Sequence, residues 1–472
     1  MHDERPGTET DVLVVGGGPA GATASALLAR QGYEVTLLER SRFPRYHIGE
    51  SLLPSLLPLL DLLGAREVVE RHGFVRKTGA YYDWGGQEWA LRFGGLGRSA
   101  QYSFQVVRSE FDQALLNHAR AQGARVHEEV TARTVDFRDG RASAASWTSS
   151  DGTGGVISFR HLVDASGRAG LLSARQLRTR RFHDAFRNVA TWGYWHRAAH
   201  IGAAPDGAIC LFSLPDDGWF WAIPLHDGTL SVGLVTDKES FTAARQALGG
   251  TEAVYADRLR QCPALARLLT GADLVAPLRV ESDYSYTADR FSGPGWFLAG
   301  DAACFLDPLL STGVHLAMYS GLLAAASIAA VQRQDVAEAE AAAFHQGAYR
   351  HAYERLLILV GAFYDIHQGR DAHFRRAQTL SHRDQRPLRL DESFLHIVTG
   401  VEDLHDAQDD TVARLFAALR EPIAGHPKVG LGGHGASLMT PWPTAPDQAV
   451  SGLRLVLEPH LGLQRQAHRP HR

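Results

Sequence analysis

The apolar run Asp11-Val12-Leu13-Val14-Val15 meets glycine at once and is followed by the helical spacing of Ala22–Arg30. A short β-branched run of this kind predicts a buried parallel strand feeding a helix. Tyr33–Leu38 supplies the second strand of a βαβ unit. From Ser51 to Leu63 the leucines recur at helical spacing despite Pro54 and Pro58, and Gly64 ends the segment. Ser109–Gln122 is again helical in pattern, Arg125–Val130 reads as a strand, and Asp139-Gly140 marks a hairpin turn. Tyr81–Gln105 and Asn188–Asp283 differ: short aromatic and aliphatic runs alternate with Gly, Asp and Pro, the pattern of an antiparallel sheet. The longest apolar stretch, Gly313–Val331, carries His315, Tyr319, Ser320 and Ser327, and the charged Gln332–Asp335 follows it. That composition predicts a buried core helix rather than a membrane span. The pattern stays helical to about Arg376, breaks in a Gly- and Pro-rich stretch beyond Glu421, and ends in a polar tail, QRQAHRPHR, expected to be mobile.

These elements predict an α/β chain. A Rossmann-like dinucleotide-binding domain (1–80, 106–187 and 284–335) is interrupted by an inserted antiparallel β-sheet domain (81–105 and 188–283). Residues 336–472 form a helical C-terminal region with its tail. A length of 472 residues suits two or three lobes able to bury a cofactor. Lys and Arg (48) nearly balance Asp and Glu (52), so no basic excess calls for a nucleic-acid partner and a small molecule is the expected ligand. The three cysteines form no C-x-x-C pair, which excludes a disulfide framework and a cysteine zinc site. The 23 histidines show no H-E-x-x-H cluster, so no metal is expected. The polar start MHDERPGTETD leaves no room for the apolar core of a signal peptide, and a cytoplasmic setting is expected.

Between the first strand and helix, Gly16-Gly17-Gly18-Pro19-Ala20-Gly21 supplies G-x-G-x-x-G. Gly16 permits the tight turn, Gly18 lets the backbone approach a pyrophosphate with Ala20 beside it, and Gly21 lets the helix pack on the sheet. Glu39, at the end of the second strand, is placed to accept hydrogen bonds from an adenosine ribose.

Two later segments, Val163-Asp164-Ala165-Ser166-Gly167-Arg168 and Phe297-Leu298-Ala299-Gly300-Asp301-Ala302-Ala303, resemble the second and third signatures of flavoprotein monooxygenases. The resemblance implies FAD and a fold of the glutathione-reductase/hydroxylase type. It places Asp301 near the ribityl and phosphate part of the flavin, and Arg108 in VVRSEFDQALL beside the FAD. Phe43-Pro44-Arg45-Tyr46-His47-Ile48-Gly49-Glu50-Ser51 is similar to a segment passing close to the isoalloxazine, which implies contacts from Ile48 and Gly49. Glu50 reads equally well as a first-turn acid of the following helix. His47, His315 and Cys304 read as packing residues, as do Tyr286 and Phe363.

Within that superfamily the chain most resembles the flavin-dependent halogenases. Gly218-Trp219-Phe220-Trp221-Ala222-Ile223-Pro224 contains their W-x-W-x-I-P pattern, which implies that Trp219, Trp221, Ile223 and Pro224 separate substrate from flavin. Lys77 aligns with the halogenase lysine, whose amine holds hypohalous acid and aims it at one ring carbon. Asp307-Pro308-Leu309-Leu310-Ser311-Thr312-Gly313-Val314-His315 matches the halide turn. There a helix N-terminus offers free N–H groups to chloride or bromide, with Ser311, Thr312 and Gly313 as the halide-binding residues and Gly313 also touching FAD. Leu310 stands where tryptophan halogenases carry a glutamate, which points away from tryptophan and toward a phenol or pyrrole activated by its own OH or NH.

The resemblance therefore implies an oxidoreductase that uses FAD as FADH2, with O2 and halide, through a flavin hydroperoxide and hypohalous acid directed by Lys77. With no second G-x-G-x-x-G for a nicotinamide, the FADH2 is expected from a separate flavin reductase. The aromatic substrate is free or tethered to an acyl or peptidyl carrier protein. The alternatives are an NAD(P)H-dependent aromatic hydroxylase, a geranylgeranyl-type reductase, or a flavin-binding module without turnover.

Overall fold

The computed structural model describes residues 5–84, 87–93, 101–183, 187–215, 218–282, 285–368 and 449–466. Its first sheet is built around the strand Glu9–Val15, which pairs in parallel with Val35–Leu38 on one side and Gly154–Asp164 on the other. Arg125–His127 extends it beyond Val35–Leu38, and Trp296–Leu298 beyond Gly154–Asp164. Parallel strands covered on both faces must be apolar throughout, and Val12, Leu13 and Val14 are fully buried. The helix Pro19–Arg30 follows the first strand directly. Gly21 is required there by contact: a Cβ would lie 1.9 Å from the Gly16 carbonyl oxygen. The hairpin of Val130–Arg138 and Arg141–Ser149 turns at Asp139 and Gly140, both with positive φ, and joins the same sheet antiparallel.

The second sheet runs in the order Asp273–Leu274, Asn188–His196, Thr229–Asp237, Trp219–Pro224, Ile209–Ser213, Gly79–Trp84, Gln87–Arg92. Its described pairs are antiparallel apart from Ile209–Ser213 with Gly79–Trp84. That parallel pair joins two stretches of chain separated by the whole middle of the first unit, where no hairpin constrains direction. Ser103–Gln105, expected in this sheet, instead pairs with Val75–Lys77 as a separate two-stranded ribbon.

Two expectations need correction. The leucine-rich segment from Ser51 becomes helical only at Leu56–Leu63, because Pro54 disfavours helical backbone at the residue before it, while Pro58 is tolerated in the first turn. The C-terminal region, expected to be helical with a mobile tail, contains the helix Glu338–Gln368 and then a hairpin of Leu453–Val456 with Gly462–Arg465. Gln464 and Arg465, assigned to the tail, belong to that hairpin, and Arg465 bonds to Glu340. The apolar alternation of Leu453, Leu455, Leu461 and Leu463 buries one face of it. The Gly- and Pro-rich stretch and the side chain of Phe363 lie outside the described residues.

Among the described residues, Gly313–Gln332 is the one helix long and apolar enough to cross a membrane, and 94% of its apolar window is buried. It packs on Pro19–Arg30, and Gly321 lets the two backbones touch: a Cβ there would meet the Ala20 carbonyl oxygen at 2.5 Å. Both helices thereby direct their N-termini into the same space.

Gly21→Ala should destabilise the apoprotein by about 1–3 kcal/mol through overpacking, despite alanine's better helix propensity. Urea denaturation of the two proteins is the measurement; equal midpoints would contradict the contact.

Candidate active site

A cavity of about 460 Å³ lies where those two N-termini meet the second sheet. Gly16, Gly18, Ala20 and Glu39 line one end, Gly300, Asp301 and Ser311–Gly313 its length, and Trp192, Trp219, Trp221 and Ile223 the far side. A smaller cavity of about 250 Å³ adjoins it at Glu39, with Arg40, Thr131 and Ser166 in its wall.

The residues present fit a flavin dinucleotide. The helix Pro19–Arg30 begins at Gly18 with no side-chain cap, so its first N–H groups are available to a pyrophosphate. Glu39 is buried, and its two carboxylate oxygens accept the Gly17 N–H at 2.7 Å and the Ser41 N–H at 2.8 Å. Those bonds fix the carboxylate and leave lone pairs for ribose hydroxyls. Asp301 faces the cavity with its pKa raised to about 6 by burial, which an acceptor role toward flavin hydroxyls would relieve.

The segment 45–50 straps across this cavity and is held from below by one buried arginine. Arg108 donates from Nε and Nη2 to both oxygens of Asp112, at 2.9 and 3.1 Å, and from Nη1 to the carbonyls of Ile48 and Gly49, at 2.6 and 3.2 Å. Arg45 adds a third bond to Asp112 at 3.0 Å. Desolvation opposes ionisation of Asp112, yet the two guanidinium groups hold its pKa below the usual range. His47 is kept neutral, pushed down to about 4 by burial and by Arg108, and its Nδ1 meets the Ile48 carbonyl.

The far wall is aromatic. Trp219 and Trp221 alternate in their strand with ring centroids 6.0 Å apart, Trp192 lies 6.3 Å from Trp221, and the Trp221 indole donates to Ser231 Oγ. At its edge a hydrogen-bonded chain runs outward. Tyr194 donates to Glu50 Oε1 at 2.7 Å, and the Tyr46 and Tyr194 hydroxyls are 2.9 Å apart. The Trp192 indole donates to Tyr46 at 2.6 Å. Glu50 is buried and lines the cavity, whereas Tyr46 is exposed. Burial raises the Glu50 carboxyl to about 7, against the Ser231 and Tyr194 hydroxyls and Arg108.

Lys77 does not line this cavity. It sits one residue behind it, 2% exposed, donating to Ser51 Oγ at 2.8 Å and to the Leu52 carbonyl at 3.1 Å, with Nζ 5.7 Å from the centre of the Phe93 ring. Ser51 is shared with the cavity wall. Burial alone lowers the amine to about 7.

The turn before the core helix is shaped by Asp307, whose side chain accepts the Leu309 N–H and a bond from Asn188 at 2.7 Å. Ser311 takes left-handed backbone (φ 58°), Thr312 is the N-cap, and no side chain caps the helix. Position 310 is a buried leucine and offers no carboxylate. His315 bonds to Ser55 and stacks on Tyr319, a packing role. Tyr286 is likewise in the core, its hydroxyl on the Asp301 carbonyl.

The cavity thus brings together Gly16, Gly18, Ala20, Glu39, Ile48, Gly49, Arg108, Asp301, Ser311, Thr312, Gly313, Trp219, Trp221 and Ile223. It omits Gly21, which packs beneath the glycine turn, Pro224, which ends the tryptophan strand, and Lys77. Residue patterns missed Asp112, Trp192, Tyr194 and the buried setting of Glu50. Of these only Asp112 left a signal, an acid four residues after Arg108.

A glycine-turn parallel sheet joined to a second sheet across such a cavity defines an FAD-binding oxidoreductase. The comparisons narrow the class: the tryptophan halogenase family profile matches residues 11–101 and 96–409. A tryptophan 2-halogenase of Chondromyces crocatus is 46% identical over 409 residues, 85% of this chain and 78% of that protein. A sulochrin halogenase of Aspergillus terreus is 39% identical over 378 residues, covering 75% and 69%. The myxobacterial chondrochloren halogenase superposes with a TM-score of 0.73 at 31% identity, covering 88% of this chain and 97% of its own. The chain belongs to the flavin-dependent halogenases, enzymes that use FAD, O2 and halide and generally depend on a separate flavin reductase.

Two buried groups predict opposite pH slopes. The folded chain releases the Lys77 proton near pH 7 and the unfolded chain near 10.5, so the unfolded state binds more protons between them and stability rises with pH through that window. Glu50 keeps its proton to about pH 7 when folded and loses it near 4.5 when unfolded, so stability falls as pH rises through that window. Melting temperatures across both ranges should lose the upper slope in Lys77→Met and the lower slope in Glu50→Gln. Unchanged profiles would show that the groups are solvated.

Proposed function

We propose that this chain chlorinates or brominates an aromatic ring activated by its own OH or NH, a phenol or pyrrole, with Lys77 delivering the halogen. The carrying observation is the position of Lys77: a desolvated amine outside the flavin cavity, joined to its wall through Ser51. Bound FAD, once reduced, supplies with O2 the oxidising equivalents that turn halide into hypohalous acid.

The chain's own residues then divide the work. The uncapped amides of Thr312 and Gly313, with Ser311 beside them, hold the halide against the cavity. Trp219, Trp221 and Ile223 line the cavity and Pro224 ends their strand; their bulk keeps the ring away from the flavin, so that only a small oxidant passes. Lys77 receives it. Its bonds to Ser51 and the Leu52 carbonyl aim the amine, and a pKa near 7 leaves much of it neutral at physiological pH, with a lone pair available. Asp301, Glu39 and the glycine turn hold the dinucleotide, while Arg108 positions Ile48 and Gly49 over it.

Leu310 removes the carboxylate that would polarise the halogen donor or take the ring proton, and the ring must supply its own activation. The 46% identity to a tryptophan 2-halogenase supports a second substrate within the same logic. The 2-carbon of an indole belongs to its pyrrole ring, activated by the ring nitrogen. A carrier-bound ring remains part of the proposal, as does a cytoplasmic setting, which three buried free cysteines suit.

The test is mass spectrometry of phenols, pyrroles and indoles, free and carrier-tethered, with reductase, FAD and chloride or bromide. Halogenated product should appear, and Lys77→Ala should lower its rate by about 10²-fold or more while FAD binding and peroxide release persist. Hydroxylated product with NADPH alone and no halide would establish the hydroxylase alternative instead.

A further inference from the structure

Away from the flavin cavity, three residues from three elements converge. His72 caps the end of the helix Arg66–Arg71, Glu110 lies in the first turn of Arg108–Ala121, and His226 stands in the turn between Trp219–Pro224 and Thr229–Asp237. The Nε2 atoms of His72 and His226 lie 2.6 and 3.1 Å from the same Glu110 oxygen, Oε2. Their ligand atoms all fall within 4.8 Å of one another. Phe74 walls the site, edge-on to both imidazoles at 4.2 and 5.2 Å between ring centres.

We infer that His72, Glu110 and His226 form a binding site for a divalent transition cation, zinc in the first place, that clamps the tryptophan strand to the helix carrying Arg108. Two imidazoles and one carboxylate with a fourth position open to water are a donor set that suits zinc. Ligands at tetrahedral zinc stand about 3.4 Å apart, within reach of the observed spacing after side-chain shifts of under ~1 Å. Charge favours a cation: among the described ion pairs, Glu110 has only the two imidazoles as partners, and Asp227 adjoins His226 in the turn. The turn is already rigid. Leu225 N–H bonds to the Thr229 carbonyl at 2.8 Å, and Asp227 Oδ1 accepts both the N–H and the hydroxyl of Thr229. His226 therefore needs little ordering to bind. The helix of Glu110 starts at Arg108, the residue gripping the strap, and the strand leading to His226 carries Trp219 and Trp221. A metal here would brace the two walls of the flavin cavity against each other from outside, without entering the reaction. The sequence shows no metal motif because His72 and Glu110 are 38 residues apart and His226 comes from the second sheet.

The test is zinc titration by calorimetry of untagged, FAD-loaded protein, with metal analysis after dialysis. One equivalent of zinc should bind and raise the melting temperature reversibly on chelation. His72→Ala and His226→Ala should weaken that affinity at least tenfold and remove the thermal shift. Glu110→Gln, which keeps a hydrogen-bond acceptor, should weaken binding while keeping the fold, read from flavin content. His200→Ala, outside the site, should match wild type. Failure to retain zinc, or equal affinity in wild type, His226→Ala and Glu110→Gln, would overturn the proposal and leave the trio as hydrogen-bonded packing.

Discussion

The close contact of Pro19–Arg30 with Gly313–Gln332 is the constraint on which the rest depends. Small residues on both helices, Ala20 and Thr23 against Gly321, let the axes approach until no Cβ fits between Gly321 and the Ala20 carbonyl. Ser320 also bonds to Gly300 N–H, tying Asp301's loop to the same contact. Two uncapped helix N-termini, at Gly18 and Thr312, thereby open on one cavity. Each offers unpaired N–H groups and partial positive charge, and the two anions of the proposed chemistry, pyrophosphate and halide, need such ends. Bulkier residues at this contact would separate the ends and with them the two halves of the reaction.

The second organising device is the buried fork of Arg108 on Asp112. A buried guanidinium making four hydrogen bonds is a rigid post, and here it fixes the carbonyls of Ile48 and Gly49. Glu50 follows directly, which explains how a carboxyl can be carried into a dry cavity wall and kept there by Tyr194. Burial then sets the chemistry. The same desolvation raises the Glu50 carboxyl in the cavity wall and lowers the Lys77 amine behind Ser51, drawing both toward about 7 from ordinary values that lie far apart.

Much of this was legible along the chain. The βαβ unit, the glycine turn, Glu39 and the hairpin at Asp139-Gly140 depend on periodicity and contiguous motifs, which local sequence encodes. The family resemblance pointed to the W-x-W-x-I-P strand, the Asp307–His315 turn and Lys77. The C-terminal hairpin, expected as part of the helical region with only Gln464 and Arg465 in the tail, escapes the pattern because its strands are four residues each and follow a long Gly- and Pro-rich stretch. Ser103–Gln105 was misassigned because strand pattern reports the strand, not its partner.

The sequence by itself determined the class of cofactor and, through resemblance, the class of reaction, because the strand-turn-helix that binds a dinucleotide is assembled from neighbours in the chain. Tertiary structure decided which of the named residues share a cavity. It placed Lys77 behind Ser51 rather than in the flavin wall, and gave Glu50 a buried setting that nothing in its flanking residues signals. It also gathered His72, Glu110 and His226. The physical reason is common to all three: desolvation and convergence depend on segments far apart in sequence, and no local pattern records what will pack against a side chain.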